Sequence, residues 1–221
     1  EKLRVQQILG ARRMYASPLT RAVQTAMLAF RNHPCLSARE RGLTLLCSAR
    51  EVKTLGGFDT VGDALGDDIH KRAMEKLYEQ LHESEMLAQL DTIKMDPEEV
   101  HTKWWTSVMD TNETLARRVN ELLCRVRYDA QLQTVSEMEA ERGSRSGSPA
   151  RTMPCMQTAI VVAHSIIIKE IIRRCTQPGS EFAETQLAAK LGRGKVTNGG
   201  ENCRRGTKKL LLLFTNMVVT G

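Results

Sequence analysis

Aromatic residues make up only 4% of this 221-residue chain and do not interleave with its basic runs, which argues against the stacking platforms of single-strand nucleic-acid binders. The longest apolar run near the end, Leu210 to Phe214, is far too short to cross a bilayer, so no membrane partner is expected. Six cysteines, at positions 35, 47, 124, 155, 175 and 203, form no C-x-x-C pair and no regular framework. A chain this long needs no disulfide staples, and free thiols in a reducing, cytoplasmic compartment are expected. It also lacks a His-x-x-x-His pair and any Cys/His cluster with zinc-like spacing, so a metal site has no support.

What is present suffices for one substantial core. Hydrophobic residues make up 41% of the sequence, and a single domain over residues 1–221 is the default. The net charge of +6 and a pI near 9.1 suit phosphate esters or nucleic acid. Much of that excess, however, comes from Arg142 to Arg151 and Lys190 to Lys209, which read as a loop and a tail. A nucleic-acid partner therefore rests on charge alone and is not expected.

Hydrophobic periodicity predicts a short strand over Arg13–Ala16, a helix over Pro18–Phe30 and a buried strand over Leu43–Cys47. Gly56 to Gly66 reads as a loop. Residues near Asp68 to Leu90 read as a helix with Met74, Leu77, Tyr78, Leu81 and Met86 toward the core, and Pro97 restarts a helix running toward Met109. Asn112 to Arg127 is the best internal helix, with Leu115, Val119, Leu122, Leu123 and Val126 on one face. Residues 137–156, rich in Gly, Ser, Arg and Pro, read as a mobile insertion. A strand over Ile160–Ala163, a helix over Ser165–Arg174 and a last strand over Leu210–Phe214 complete the pattern. Strands alternating with helices give an α/β fold, a mostly parallel central sheet flanked by helices.

The chemistry concentrates where strands end. In Tyr15-Ala16-Ser17-Pro18-Leu19-Thr20-Arg21, Ser17 is expected to cap the following helix and Pro18 to occupy its first position. Arg21 falls off the apolar stripe of Leu19, Ala22, Val23, Ala26, Met27 and Phe30. It is thus able to reach around a helix start that already favours negative charge, although a lone arginine there is more often only solvated. His164 follows an apolar run and should emerge at the carboxyl end of a parallel strand, where ligand sites collect. Glu51 lies just past the Leu43–Cys47 strand, and Glu40, the competing carboxylate, precedes it. His33 falls in a turn before Pro34, while His70, His82 and His101 fall on helical or loop segments; all four read as surface residues.

SPLTRAVQTA closely resembles the signature of the histidine phosphatase superfamily, the phosphoglycerate mutase-like proteins. Ser48-Ala49-Arg50-Glu51 resembles the family's acidic loop, Thr158 to Lys169 its second-histidine motif, and Trp104-Trp105 with Glu113 and Arg117-Arg118-Val119 the helix before it. The resemblance implies a three-layer phosphoglycerate mutase-like fold with its first strand missing, and a helical lid region over about 58–110. It implies phosphate binding by Arg21 and His164, and catalysis by His164 together with Glu51 as general acid and base. The reaction it implies is phosphomonoester hydrolysis, or mutase chemistry, through a phosphohistidine. That reaction uses no metal or organic cofactor and acts on a small phosphorylated substrate or a phosphoprotein.

The family's Arg-His-Gly triplet, whose histidine becomes phosphorylated, does not occur in these 221 residues, and Ser165 stands where the family usually has glycine. The chain is read as incomplete at its N-terminus. A catalytically inactive phosphate-binding or protein-interaction module is the alternative.

Overall fold

The computed structural model describes residues 8–36, 42–53, 62–144, 158–175 and 209–215, with the backbone alone for 130–144, 175 and 209–215. In chain order the elements are β1 (Ala11–Ala16), α1 (Thr20–Phe30), β2 (Leu43–Leu45), α2 (Asp68–Gln80) and α3 (Ser84–Asp91). They continue with β3 (Met95–Asp96), α4 (Asn112–Ser144), β4 (Thr158–His164), α5 (Ser165–Cys175) and β5 (Lys209–Thr215). One sheet in the order β3-β2-β1-β4-β5 joins all five strands. The first four of that order run parallel, and β5 lies antiparallel beside β4.

Burial follows from strand composition. All seven residues of β4 are buried, as suits a β-branched strand covered on both faces. Successive side chains point to opposite faces, so Met14, Ala16, Ile160 and Val162 join Val23 and Met27 of α1, Leu77 of α2 and Leu90 of α3 in one core. Tyr15, Val161 and Ala163 join Val119 and Leu122 of α4 and Ile167 and Ile171 of α5 in a second. Helices thus cover both faces of the sheet. Gly42 enters β2 with φ +77°, and a Cβ there would collide with the Lys94 carbonyl, so only glycine lets the strand run this close to its neighbour. Among the described residues no helix is long and apolar enough to cross a membrane.

Several elements differ from the sequence expectation. The Asp68–Leu90 helix is two helices, broken where Leu81 turns extended. A straight helix of that length would run about 35 Å, whereas the break folds Leu77 and Leu90 back onto one core. Tyr78 is exposed, and Leu81 and Met86 only flank that core. After Pro97 only a single 3-10 turn forms, Glu98–Val100. Beyond it the chain bonds to distant segments instead of to itself: the Trp104 indole N–H donates to Ala64 O at 3.0 Å, and the Asp110 N–H to Lys53 O at 3.3 Å. α4 runs on to Ser144, so residues 137–144 are helical; the rest of the expected insertion lies outside the described residues, as do most of the Gly56–Gly66 loop and Glu40.

Tyr15 anchors α4 to the sheet. Its hydroxyl donates to Asp129 Oδ2 at 2.9 Å, and burial first, then the Asp129 charge, push the phenol above its ordinary range. An unfolded chain releases this proton near about pH 10 while the folded chain retains it, so stability falls as pH rises past that value. Tyr15→Phe is expected to cost about 1–2 kcal/mol at neutral pH and to flatten the alkaline fall. Urea denaturation at neutral and alkaline pH reads both effects, and an unchanged alkaline slope would remove Tyr15 as its source.

Candidate functional site

β1 leads to β2 on one side of the sheet, while β4 lies on its other side. The carboxyl ends of β1 and β4 therefore flank the point where strand order reverses, the place where open α/β sheets offer a crevice. Three strand ends meet there. The Ser17 N–H donates to Val162 O at 2.9 Å, and the Leu46 N–H to Ala16 O at 3.0 Å, which carries the sheet register past β1.

Ser17 is fully buried. Its hydroxyl accepts from the Leu19 N–H at 3.3 Å and shares a 2.8 Å hydrogen bond with His164 Nε2. This corrects the expected cap: α1 starts at Thr20, its N-cap residue is the extended Leu19, and Pro18 lies one residue earlier. The pairing of Ser17 with Val162 holds it in the strand register, so its hydroxyl meets His164 as well as the Leu19 N–H just ahead of the helix.

His164 ends β4 at 1% exposure, its ring fixed by Ser17 on one nitrogen and facing Glu51 with the other. Nδ1 lies 3.8 Å from Glu51 Oε2. Arg21, one residue into α1, brings Nη2 to 4.0 Å from the same oxygen. Both separations exceed a hydrogen bond, so Glu51 is held by charge and by its own backbone, with Oε1 accepting the Val52 N–H at 3.0 Å. Arg21 and His164, the latter more than a hundred residues away in sequence from both Arg21 and Glu51, thus face one oxygen of the Glu51 carboxylate.

Burial raises the proton affinity of Glu51; the Val52 N–H, Arg21 and Arg118 oppose this without cancelling it. A carboxyl that keeps its proton longer than usual, beside an imidazole and a guanidinium, is equipped to donate that proton to a departing oxygen. The guanidinium, with the imidazole as a hydrogen-bonding group, is equipped to hold the remaining charge. Among the described residues no group of three His, Cys, Asp or Glu is arranged to hold a metal ion.

Sequence reasoning missed the residues behind Glu51. Arg118 is 5% exposed and donates through Nη1 to both Asp110 oxygens, at 2.9 and 2.8 Å, and through Nη2 to Arg50 O at 3.0 Å. Desolvation lowers its proton affinity, and the neighbouring Arg50 adds to this; Asp110 and Glu51 act the other way. A signal was available: Arg118 follows Leu115 by three positions and precedes Leu122 by four, so a charge falls on the apolar stripe and needs a buried partner.

The other candidates fall elsewhere. His33 is buried, contrary to expectation, and its ring is satisfied by Ile8 O and the Cys35 N–H near the amino end of β1. His70 is half-buried, and His82 and His101 are exposed. Trp104 packs in the core and meets Trp105 edge to face at 5.4 Å. Cys47 and Cys124 are free thiols; burial pushes Cys47 up to about 11, aided by the Glu99 charge, which makes it a poor nucleophile. Against protein-family models, curated proteins and solved structures, the chain gives no match.

Proposed function

We propose that this chain carries the oxyanion-binding and proton-donating half of a phosphoryl-transfer site, a phosphomonoester phosphatase or mutase of the phosphoglycerate mutase-like kind. One observation carries the proposal: the Glu51 carboxylate lies within 4.0 Å of both the Arg21 guanidinium and the His164 imidazole, at the reversal point of a parallel sheet. Arg21 and His164 would hold the equatorial oxygens of a phosphoryl group, and Glu51 would serve the leaving oxygen. The attacking imidazole would come from the Arg-His-Gly triplet of a longer reading frame.

The reading frame extended upstream is expected to hydrolyse p-nitrophenyl phosphate in EDTA. The 221-residue chain itself is expected to bind orthovanadate. Arg21→Lys should weaken that binding about tenfold, because an ammonium cannot grip two oxygens in one plane. Absence of both hydrolysis and vanadate binding would end the proposal. The sequence holds no Arg-His-Gly, which favours the second reading, an inactive phosphate-binding module. Vanadate binding without hydrolysis by the complete frame would select it.

A further inference from the structure

Glu51 sits in a stretch without regular secondary structure, residues 50–53, that one buried ion pair grips on both sides. On the preceding side Arg118 Nη2 donates to the Arg50 carbonyl at 3.0 Å. On the following side Asp110 Oδ2 accepts the Lys53 N–H at 2.9 Å. The two grips are a single unit, because Arg118 Nη1 bonds both Asp110 oxygens. Further bonds tie the same stretch to the 106–110 segment: the Asp110 N–H donates to Lys53 O at 3.3 Å and Lys53 Nζ to Thr106 O at 3.2 Å. The Arg50 side chain closes the cluster with Nη2 at 3.5 Å from Asp110 Oδ1.

We infer that Arg118 and Asp110 are positioning residues for Glu51, together fixing the backbone on either side of it so that its carboxyl stands between Arg21 and His164. This rests on the site reading above. Both residues hold Glu51 through the backbone of its neighbours, and α4 supplies the rigid support: Arg118 is flanked by Val119 and Leu122, both fully buried. A buried ion pair is a weak device for stability but a good one for geometry, since its fork allows one arrangement of the groups it holds. Among the described residues the charged and titratable groups around Glu51 are Arg21 from α1, His164 from β4, Arg118 from α4, and Arg50, Lys53 and Asp110 from the flanking segments.

Arg118→Lys keeps the charge and loses the fork. In the 221-residue chain it is expected to speed amide exchange at Lys53 at least about tenfold. It should also move the Glu51 carboxyl titration, followed by carbon-13 NMR, down toward the ordinary carboxylate value, because a released carboxyl regains water. In the extended reading frame kcat for an alkyl phosphate, whose alkoxide needs the Glu51 proton, should fall about a hundredfold with KM little changed, and orthovanadate binding should persist. If Arg118→Lys does not fold, the paired apolar variant Arg118→Met/Asp110→Leu replaces it, read by Lys53 exchange and kcat. Unchanged exchange and titration, or unchanged kcat in an active frame, would overturn the inference. An inactive wild-type frame would instead count against the site reading, and exchange and titration would still decide the clamp.

Discussion

His164→Ala is expected to lower kcat for p-nitrophenyl phosphate in the extended reading frame by about 10²–10³, the size of effect seen when one preorganised oxyanion donor is lost. The reason lies in how the ring is held. At 1% exposure, with Ser17 on Nε2 and Glu51 facing Nδ1, the imidazole has little freedom and little water to reorganise when charge develops beside it. Truncation also takes the shorter of two hydrogen bonds from the buried Ser17 hydroxyl, leaving only the Leu19 N–H, which costs about 1 kcal/mol of stability by itself. Activity must therefore be compared in variants whose urea midpoints show them folded. His164→Gln, which keeps a donor near Ser17, should recover stability more than rate. A folded His164→Ala protein with full activity would eliminate this residue from the chemistry.

How far such residues could be read from sequence depends on whether their signal is local. Strand ends are local: the apolar run ending at His164 and the Ser-Pro after Ala16 both mark the carboxyl edge of a strand, and both side chains do stand there. The alternation of strands and helices likewise carried the α/β class and the parallel sheet. Helix breaks are not local. The Asp68–Leu90 stretch has one continuous periodicity, and it divides because two short helices bury Leu77 and Leu90 against one core where a long helix could not. The segment after Pro97 has helical spacing too, but its polar groups are claimed by Lys53 and Ala64, and such tertiary partners override propensity.

The site shows the same division. Arg21, Glu51 and His164 each carry a recognisable neighbourhood, whereas Asp110 carries none, and Arg50, although beside Glu51, signals no role of its own; their importance arises only when Arg118 joins them. Arg118 itself was visible as a charge on an apolar stripe, but its partner was not, because the carboxylate that meets it lies in an irregular loop. Ser17 accepts a backbone N–H ahead of the helix, as expected, but that of Leu19, with the helix starting later, and it has His164 as a second partner. Capping is a frequent use of serine before a helix, and here the strand register extends one residue further and brings the same hydroxyl to His164 too.

Glu51→Gln should separate catalysis from stability more cleanly than any other change at this site. Loss of a general acid costs about 10²–10⁴ in rate, and the cost depends on the leaving group. Hydrolysis of an alkyl phosphate, whose alkoxide leaves poorly, should fall by the full amount. Hydrolysis of p-nitrophenyl phosphate, whose phenolate leaves readily, should fall far less. Stability should move the other way. Burial holds the Glu51 pKa above the ordinary carboxylate value, so just above about pH 4.3 the folded chain binds more protons than the unfolded one. Stability then falls as pH rises through the window between the two pKa values, and the deficit persists at neutral pH. Glutamine does not ionise, so the variant lacks this fall and is expected to be at least as stable as wild type at pH 7, while matching it below the window. Urea denaturation across that range, beside the two rate measurements, decides the matter. A variant less stable at neutral pH would sink the electrostatic account of Glu51, and equal loss on both substrates would remove its role as the acid.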